Sequence, residues 1–118
     1  MHPVSTSTEK AYQWGDGGFG WPLVETEGLL VIEETLAHGC GEKHHYHNQA
    51  AQCFCMLAGR VVMQSADGQI VEIDTGMALH IPPETRHAIA NQTGDEIRFL
   101  VISAPSSRGD RHEVEQNK

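Results

Sequence analysis

Residues 39–59 read GCGEKHHYHNQAAQCFCMLAG. His44, His45 and His47, three of the chain's eight histidines, fall within four positions here, and Gln52 follows five residues after the last of them. Residues two apart on a strand point to the same face. A strand through this stretch therefore puts His45 and His47 on one face, and His44 and Tyr46 on the other. The two imidazoles are then about 7 Å apart along the strand and can both reach a single ion. On the next run, Gln52, Phe54 and Met56 share a face, while Cys53, Cys55 and Leu57 share the opposite one. With Gln52 inward, Phe54 and Met56 continue an apolar inner wall and line a pocket. Downstream, residues 76–91, GMALHIPPETRHAIAN, bring in His87 after a proline turn. His45, His47, His87 and Gln52 would offer three nitrogens and one oxygen. That donor set suits one divalent transition metal: Zn²⁺, Ni²⁺, Fe²⁺, Mn²⁺ or Cu²⁺.

The surroundings predict an all-β fold. Turn signals recur at GDGGFG (15–20), AHGCGE (37–42), SADGQ (65–69), IPPET (81–85) and NQTGDE (91–96). Between such signals lie strand-length runs at 29–36, 44–47, 52–57, 60–65, 70–73, 78–81, 87–90 and 97–103, many with β-branched residues or a period of two. Asp67-Gly68 between two of them predicts a hairpin. No segment sustains a 3.6-residue apolar period over ten or more residues. Short strands at near-regular spacing imply a barrel or sandwich. The spacing suggests an N-terminal arm over 1–20, partly ordered, one domain over 21–105 and a C-terminal tail over 106–118. Trp14, Phe19 and Trp21 would cover one end of the barrel or meet a second subunit, which favours a homodimer.

Bulk properties narrow the partners. A chain of 118 residues holds one domain with a real core. The net charge of −8 argues against nucleic acid and against anionic membrane. No apolar run approaches the ~18 residues of a membrane span, and the N-terminus lacks an apolar signal region. The expectation is a cytoplasmic protein with reduced thiols. Cys40, Cys53 and Cys55 do not suggest a disulfide framework, the count being odd. A structural zinc site built on them is disfavoured, because Cys-Phe-Cys in mid-strand cannot wrap an ion. Cys53 and Cys55 are expected to pack between layers, and Met63 and Met77 in the core.

Gly39, His45, His47, Gln52 and Gly59, followed by Gly76, Pro82, His87 and Asn91, resemble the two sequence motifs of the cupins in order and spacing. The resemblance covers residues 39–91. It implies a double-stranded β-helix (cupin or jelly-roll) barrel, with metal ligands at His45, His47, Gln52 and His87. Two positions depart from the family pattern. Gln52 stands where a glutamate is usual, so a bound ion would keep its full positive charge. Glu84 stands where glycine is frequent; a positive φ there would cost about 1 kcal/mol.

Three function classes fit. The first is an enzyme of isomerase, lyase or dioxygenase type, acting on a small oxygenated molecule at a three-histidine, one-glutamine centre. The second is a non-catalytic module that binds or senses a small molecule. The third is a metal-loaded structural domain. No nucleophile elbow or phosphate loop exists. Glu33 and Glu34, adjacent on a strand, face opposite sides and cannot share a substrate. A proton-transfer catalyst needs a titratable group near the metal; only Glu84 and His80 suggest themselves as neighbours.

Overall fold

The computed structural model describes residues 1–114. The strands are β1 (Tyr12–Trp14), β2 (Gly18–Glu25), β3 (Leu30–Leu36), β4 (His45–His47), β5 (Ala51–Ala58), β6 (Arg60–Ser65), β7 (Ile70–Asp74), β8 (Ala78–Ile81), β9 (His87–Ala90), β10 (Ile97–Ala104) and β11 (Arg111–Glu113). No helix occurs among the described residues. One sheet has the order β1-β2-β3-β10-β5-β8 and the other β11-β4-β9-β6-β7, and every pairing is antiparallel. The crossovers between sheets make the chain wind as a double-stranded β-helix, the fold the resemblance implies.

Period-two patterning decides what each sheet buries. Along β10, Ile97, Phe99, Val101 and Ser103 are buried and alternate with less buried residues. Their neighbours on β5 are Met56, Phe54 and Gln52. Both inward rows thus run from apolar to polar in the same direction. The apolar end joins Leu36, Val61, Met63 and Ile89 in one core. Phe99 is fully buried, with Phe54 at 6.0 Å and the edge of Trp14 at 6.3 Å between ring centroids. Truncating such a side chain to alanine costs about 3–5 kcal/mol. The polar end, around Ser103 and Gln52, is left for the site.

The ends of the chain are more built-in than the composition suggests. β2 crosses the boundary expected at residue 21, and its GFGWP start hides strand character behind two glycines. Those glycines are required. A Cβ at Gly18 would lie 2.4 Å from the Trp14 ring, and one at Gly20 would lie 2.7 Å from the Tyr12 ring. The rings of β1 therefore lie flat across β2. Within the expected tail, β11 pairs with β4, matching Arg111 to His47 and Glu113 to His45. Asp110 fixes this return by accepting backbone N–H bonds from Asn48, Gln49 and Ala50 at 3.0, 2.9 and 3.0 Å.

Two packing expectations are corrected. Cys53 and Cys55 face outward on β5, half-buried, with their sulfurs 3.7 Å apart; the inward positions belong to Gln52, Phe54 and Met56. Met77 is exposed, because it sits in the turn between β7 and β8. The Asp67-Gly68 hairpin joins β6 to β7, with Gly68 at φ 85° and its N–H donating to the Ser65 carbonyl.

Candidate metal centre

β4 and β9 are neighbours, and His45 pairs directly with His87. His47 follows on the same face of β4. The ring centroids lie 4.4 Å apart for His45 and His87, 5.1 Å for His45 and His47, and 5.9 Å for His47 and His87. One nitrogen from each ring falls within 4.8 Å of the others, and all three rings are buried. This spacing could hold a metal ion.

Hydrogen bonds select which nitrogen is offered. His45 Nδ1–H donates to the Lys43 carbonyl at 3.0 Å, and His87 Nδ1–H donates to the Thr85 carbonyl at 2.7 Å. Each bond fixes the tautomer and leaves the Nε2 lone pair for the shared space. Gln52 Nε2 donates to Ser103 Oγ at 3.0 Å. His87 Nε2 and Gln52 Oε1 are buried with no hydrogen-bond partner among the described residues. Buried polar atoms without partners are uncommon and call for a bound species. Two such atoms beside two further imidazoles form a donor set that fits a divalent transition metal.

Electrostatics keep the histidines neutral. Burial, with smaller contributions from His87, Arg111 and His47, depresses the His45 pKa to about 3. Burial and the charge of His87 depress His47 to about 4, and burial lowers His87 as well. Neutral imidazole is the form that binds metal.

A 270 Å³ cavity opens over His45 and His47, while His87 lies behind its wall. Its walls include His45, His47, Gln52 and Phe54, and also Tyr12, Glu34, Glu42, Arg108 and Arg111. The Met56 side chain lies in the core instead of the cavity wall. Glu84 and His80 do not line it either. Glu84 takes φ 64° in its turn, and its N–H donates to the His47 carbonyl at 2.6 Å. His80 is exposed, paired across strands with Cys53. A larger cleft of 860 Å³ lies outside the five-stranded sheet, along His44, Gln64, Ala88 and Ala90, and touches none of the three clustered histidines.

Five ionisable residues of the cavity escaped the reading of the sequence as site groups: Glu34, Glu42, Tyr12, Arg108 and Arg111. Glu42 accepts from Arg111 at 3.3 Å and from the Ile89 N–H at 3.3 Å, and lies 3.8 Å from His45 Nδ1. Burial raises its pKa to about 7, against the pull of Arg111. Glu34 stands inward on β3, and burial plus the charge of Glu42 raise it to about 8. Burial and Glu34 push the Tyr12 phenol up to about 12. The one signal for Glu34 was its place in the row Leu30, Ile32, Glu34, Leu36, where every other member is apolar and buried.

Similarity to known proteins agrees with this architecture. The polyketide cyclase RemF from Streptomyces resistomycificus superposes with a TM-score of 0.86 at 20% identity, over 100% of this chain and 88% of that one. A double-stranded β-helix protein from Klebsiella pneumoniae gives 0.81 at 15% identity, over 98% and 100%. A predicted oxalate decarboxylase from Thermotoga maritima gives 0.78 at 19% identity, over 89% and 100%. At these identities the likeness is one of fold. No curated protein sequence matches the chain. The family model described as Cupin domain matches residues 32–103, more than half of the chain, and with the barrel and its histidine cluster in place, the chain belongs to the cupin family.

Proposed function

We propose that this protein is a metal-dependent enzyme acting on a small oxygenated molecule, with one divalent transition metal held by His45, His47, His87 and Gln52. The observation that carries the reading is the pair of unsatisfied buried atoms, His87 Nε2 and Gln52 Oε1, beside two further neutral imidazoles. A bound ion would supply uncompensated positive charge that stabilises negative charge on a ligand oxygen. Reactions of isomerase, lyase or dioxygenase type use that property. A 270 Å³ cavity suits a small molecule. Its ionisable walls favour a catalyst over the alternative, a binding or sensing module, which needs no group that exchanges protons near pH 7–8. The likeness in fold to a polyketide cyclase is in keeping with an oxygenated substrate.

The test is metal analysis of untagged protein, followed by turnover assays with uronates, diketones and phenolics. About one ion per chain and turnover that a chelator abolishes is the expected result. Stoichiometric metal with tight ligand binding but no turnover would favour the sensing module.

A further inference from the structure

The carboxyl of Glu34 is chemically out of place. Leu30, Ile32 and Leu36 share its inward row and are 1%, 6% and 0% exposed. A partly buried carboxylate normally secures a cation or donors, because desolvation without them is costly. Glu42 follows that rule, held by Arg111 and the Ile89 N–H. Glu34 does not: among the described residues no hydrogen bond or ion pair holds its carboxyl, and it lines the same cavity as His45, His47 and Gln52. The neighbouring strand has been cleared for it. Gly20 pairs with Glu34 on one side and with Tyr12 on the other. With no side chain at Gly20, the Tyr12 ring crosses β2 towards Glu34. Arg108 sits 5.5 Å above that ring and is itself paired with Glu25 at 3.0 Å. The charged and titratable groups facing Glu34 are thus Tyr12, Glu42, Arg108 and Arg111, and both arginines already have carboxylate partners.

We infer that Glu34, an unpartnered carboxyl in the apolar inward row of β3, is the catalytic residue that moves a proton in this site, and that the substrate is a small carbonyl compound with a C–H bond next to the carbonyl. The inference rests on the metal-enzyme reading above. Glu34 as carboxylate removes the proton from that carbon. The C–H electron pair becomes a C=C bond, the carbonyl π pair moves onto its oxygen, and Glu34 becomes the neutral acid. Return of the proton to a different atom of the same framework completes an isomerisation and restores the carboxylate. Tyr12 lines the same cavity as Glu34. Burial, which raises Glu34 to about 8, suits both halves of the cycle near neutral pH.

Hydroxyacetone, a ketone with two oxygens for an ion, is the probe. Zn²⁺-loaded full-length protein in D₂O should replace the C–H hydrogens beside the carbonyl with deuterium, followed by ¹H NMR. Glu34→Gln should slow this exchange by roughly 10²- to 10⁴-fold, with zinc content and probe affinity unchanged within about twofold. Glu34→Asp should be intermediate. The wild-type rate should rise with pH and level off near 8, and the Glu34→Gln rate should stay flat. In metal-free protein at pH 9, Glu34→Gln should raise Tm, since it removes a desolvated charge; a merely structural carboxylate would lower it. Wild-type exchange no faster than in buffer, full exchange in Glu34→Gln, or a lowered Tm overturns the inference. Failure of the wild type to bind Zn²⁺ sinks the metal reading and this inference with it, and the metal content alone identifies that case.

Discussion

The hydrogen bond from Gln52 Nε2 to Ser103 Oγ, at 3.0 Å between β5 and β10, leaves Oε1 as the end of the amide without a partner, on a residue that lines one cavity with His45 and His47. With the NH₂ group committed to Ser103, Oε1 is the atom that the proposed metal site would use. Ser103→Ala removes that commitment and lets the amide turn. Losing a partner that orients a ligand typically weakens metal affinity by about 10–100-fold, and chelator competition should show a loss in that range. Gln52→Glu should act oppositely on the loaded protein, tightening binding at least about tenfold through the added negative charge.

His87 comes from a segment 40 positions away from His47 in sequence, yet pairs with His45 across β4 and β9. His87→Ala should abolish stoichiometric metal binding. His44→Ala should leave it unchanged, because His44 faces the outer side and contacts Gln64 at 3.3 Å. Metal content after gel filtration distinguishes the two variants.

The pH dependence of metal-free stability has opposing contributions. His45 and His47 titrate at about 3 and 4 when folded, and near 6.5 when unfolded. Below 6.5 the unfolded chain binds more protons, so stability falls with acid, by up to about 1.4 kcal/mol per pH unit for each histidine. Glu34 and Glu42 titrate at about 8 and 7 when folded, and near 4.5 when unfolded. Between 4.5 and 8 the folded chain holds the extra protons, so their contribution declines as pH rises. Between about 4.5 and 6.5 these two pairs offset each other, and His87, whose pKa burial also lowers, tips the balance so that stability still rises with pH; above 6.5 only the acids titrate, and the curve turns down near pH 6.5. Metal-free protein should show its highest Tm there, falling on both sides; a Tm that climbs steadily to pH 9 would contradict the buried acids.

Strand order along the sequence was largely legible because inward and outward residues alternate so regularly in β5, β9 and β10. The histidine cluster was legible in two parts: parity put His45 and His47 on one face of β4, and the resemblance to the two cupin motifs brought in His87. Glu34 was hidden because its significance depends on Gly20 in a different strand and on Tyr12 beyond it. Arg111 was hidden because β11 is three residues long and mostly polar; its place is set by Asp110, 60 or more residues from the N–H groups it binds. Period-two reasoning sees single strands. It does not see which strand a short terminal segment will join.

Glu84 is the one non-glycine residue with positive φ among those described. Left-handed backbone costs an L-residue roughly 1–2 kcal/mol, and glycine would give back about 0.5–1 kcal/mol through its larger unfolded entropy. Glu84→Gly should therefore stabilise the fold by about 0.5–1 kcal/mol in urea unfolding, with metal affinity unchanged, since Glu84 lies outside the cavity wall.

Asn91 carries the most exacting polar role in the fold. Its side chain is 1% exposed. Nδ2 donates to the carbonyls of Leu36 at 2.9 Å and Asp95 at 2.8 Å, while Oδ1 accepts from the Thr93 N–H at 3.0 Å and from Thr93 Oγ1 at 2.6 Å. One amide therefore ties the end of β3 to the loop between β9 and β10, beneath the core residues Leu36 and Ile97. Asn91→Ala strands buried donors and acceptors at about 1–3 kcal/mol each, so the net loss should be about 3 kcal/mol, or ~10 °C in Tm for a chain of this size. Asn91→Asp keeps the shape but turns a donor towards two carbonyls into a charged acceptor. It should be at least as damaging as alanine. An aspartate variant as stable as the wild type would show that shape alone, and not the direction of those bonds, holds the loop.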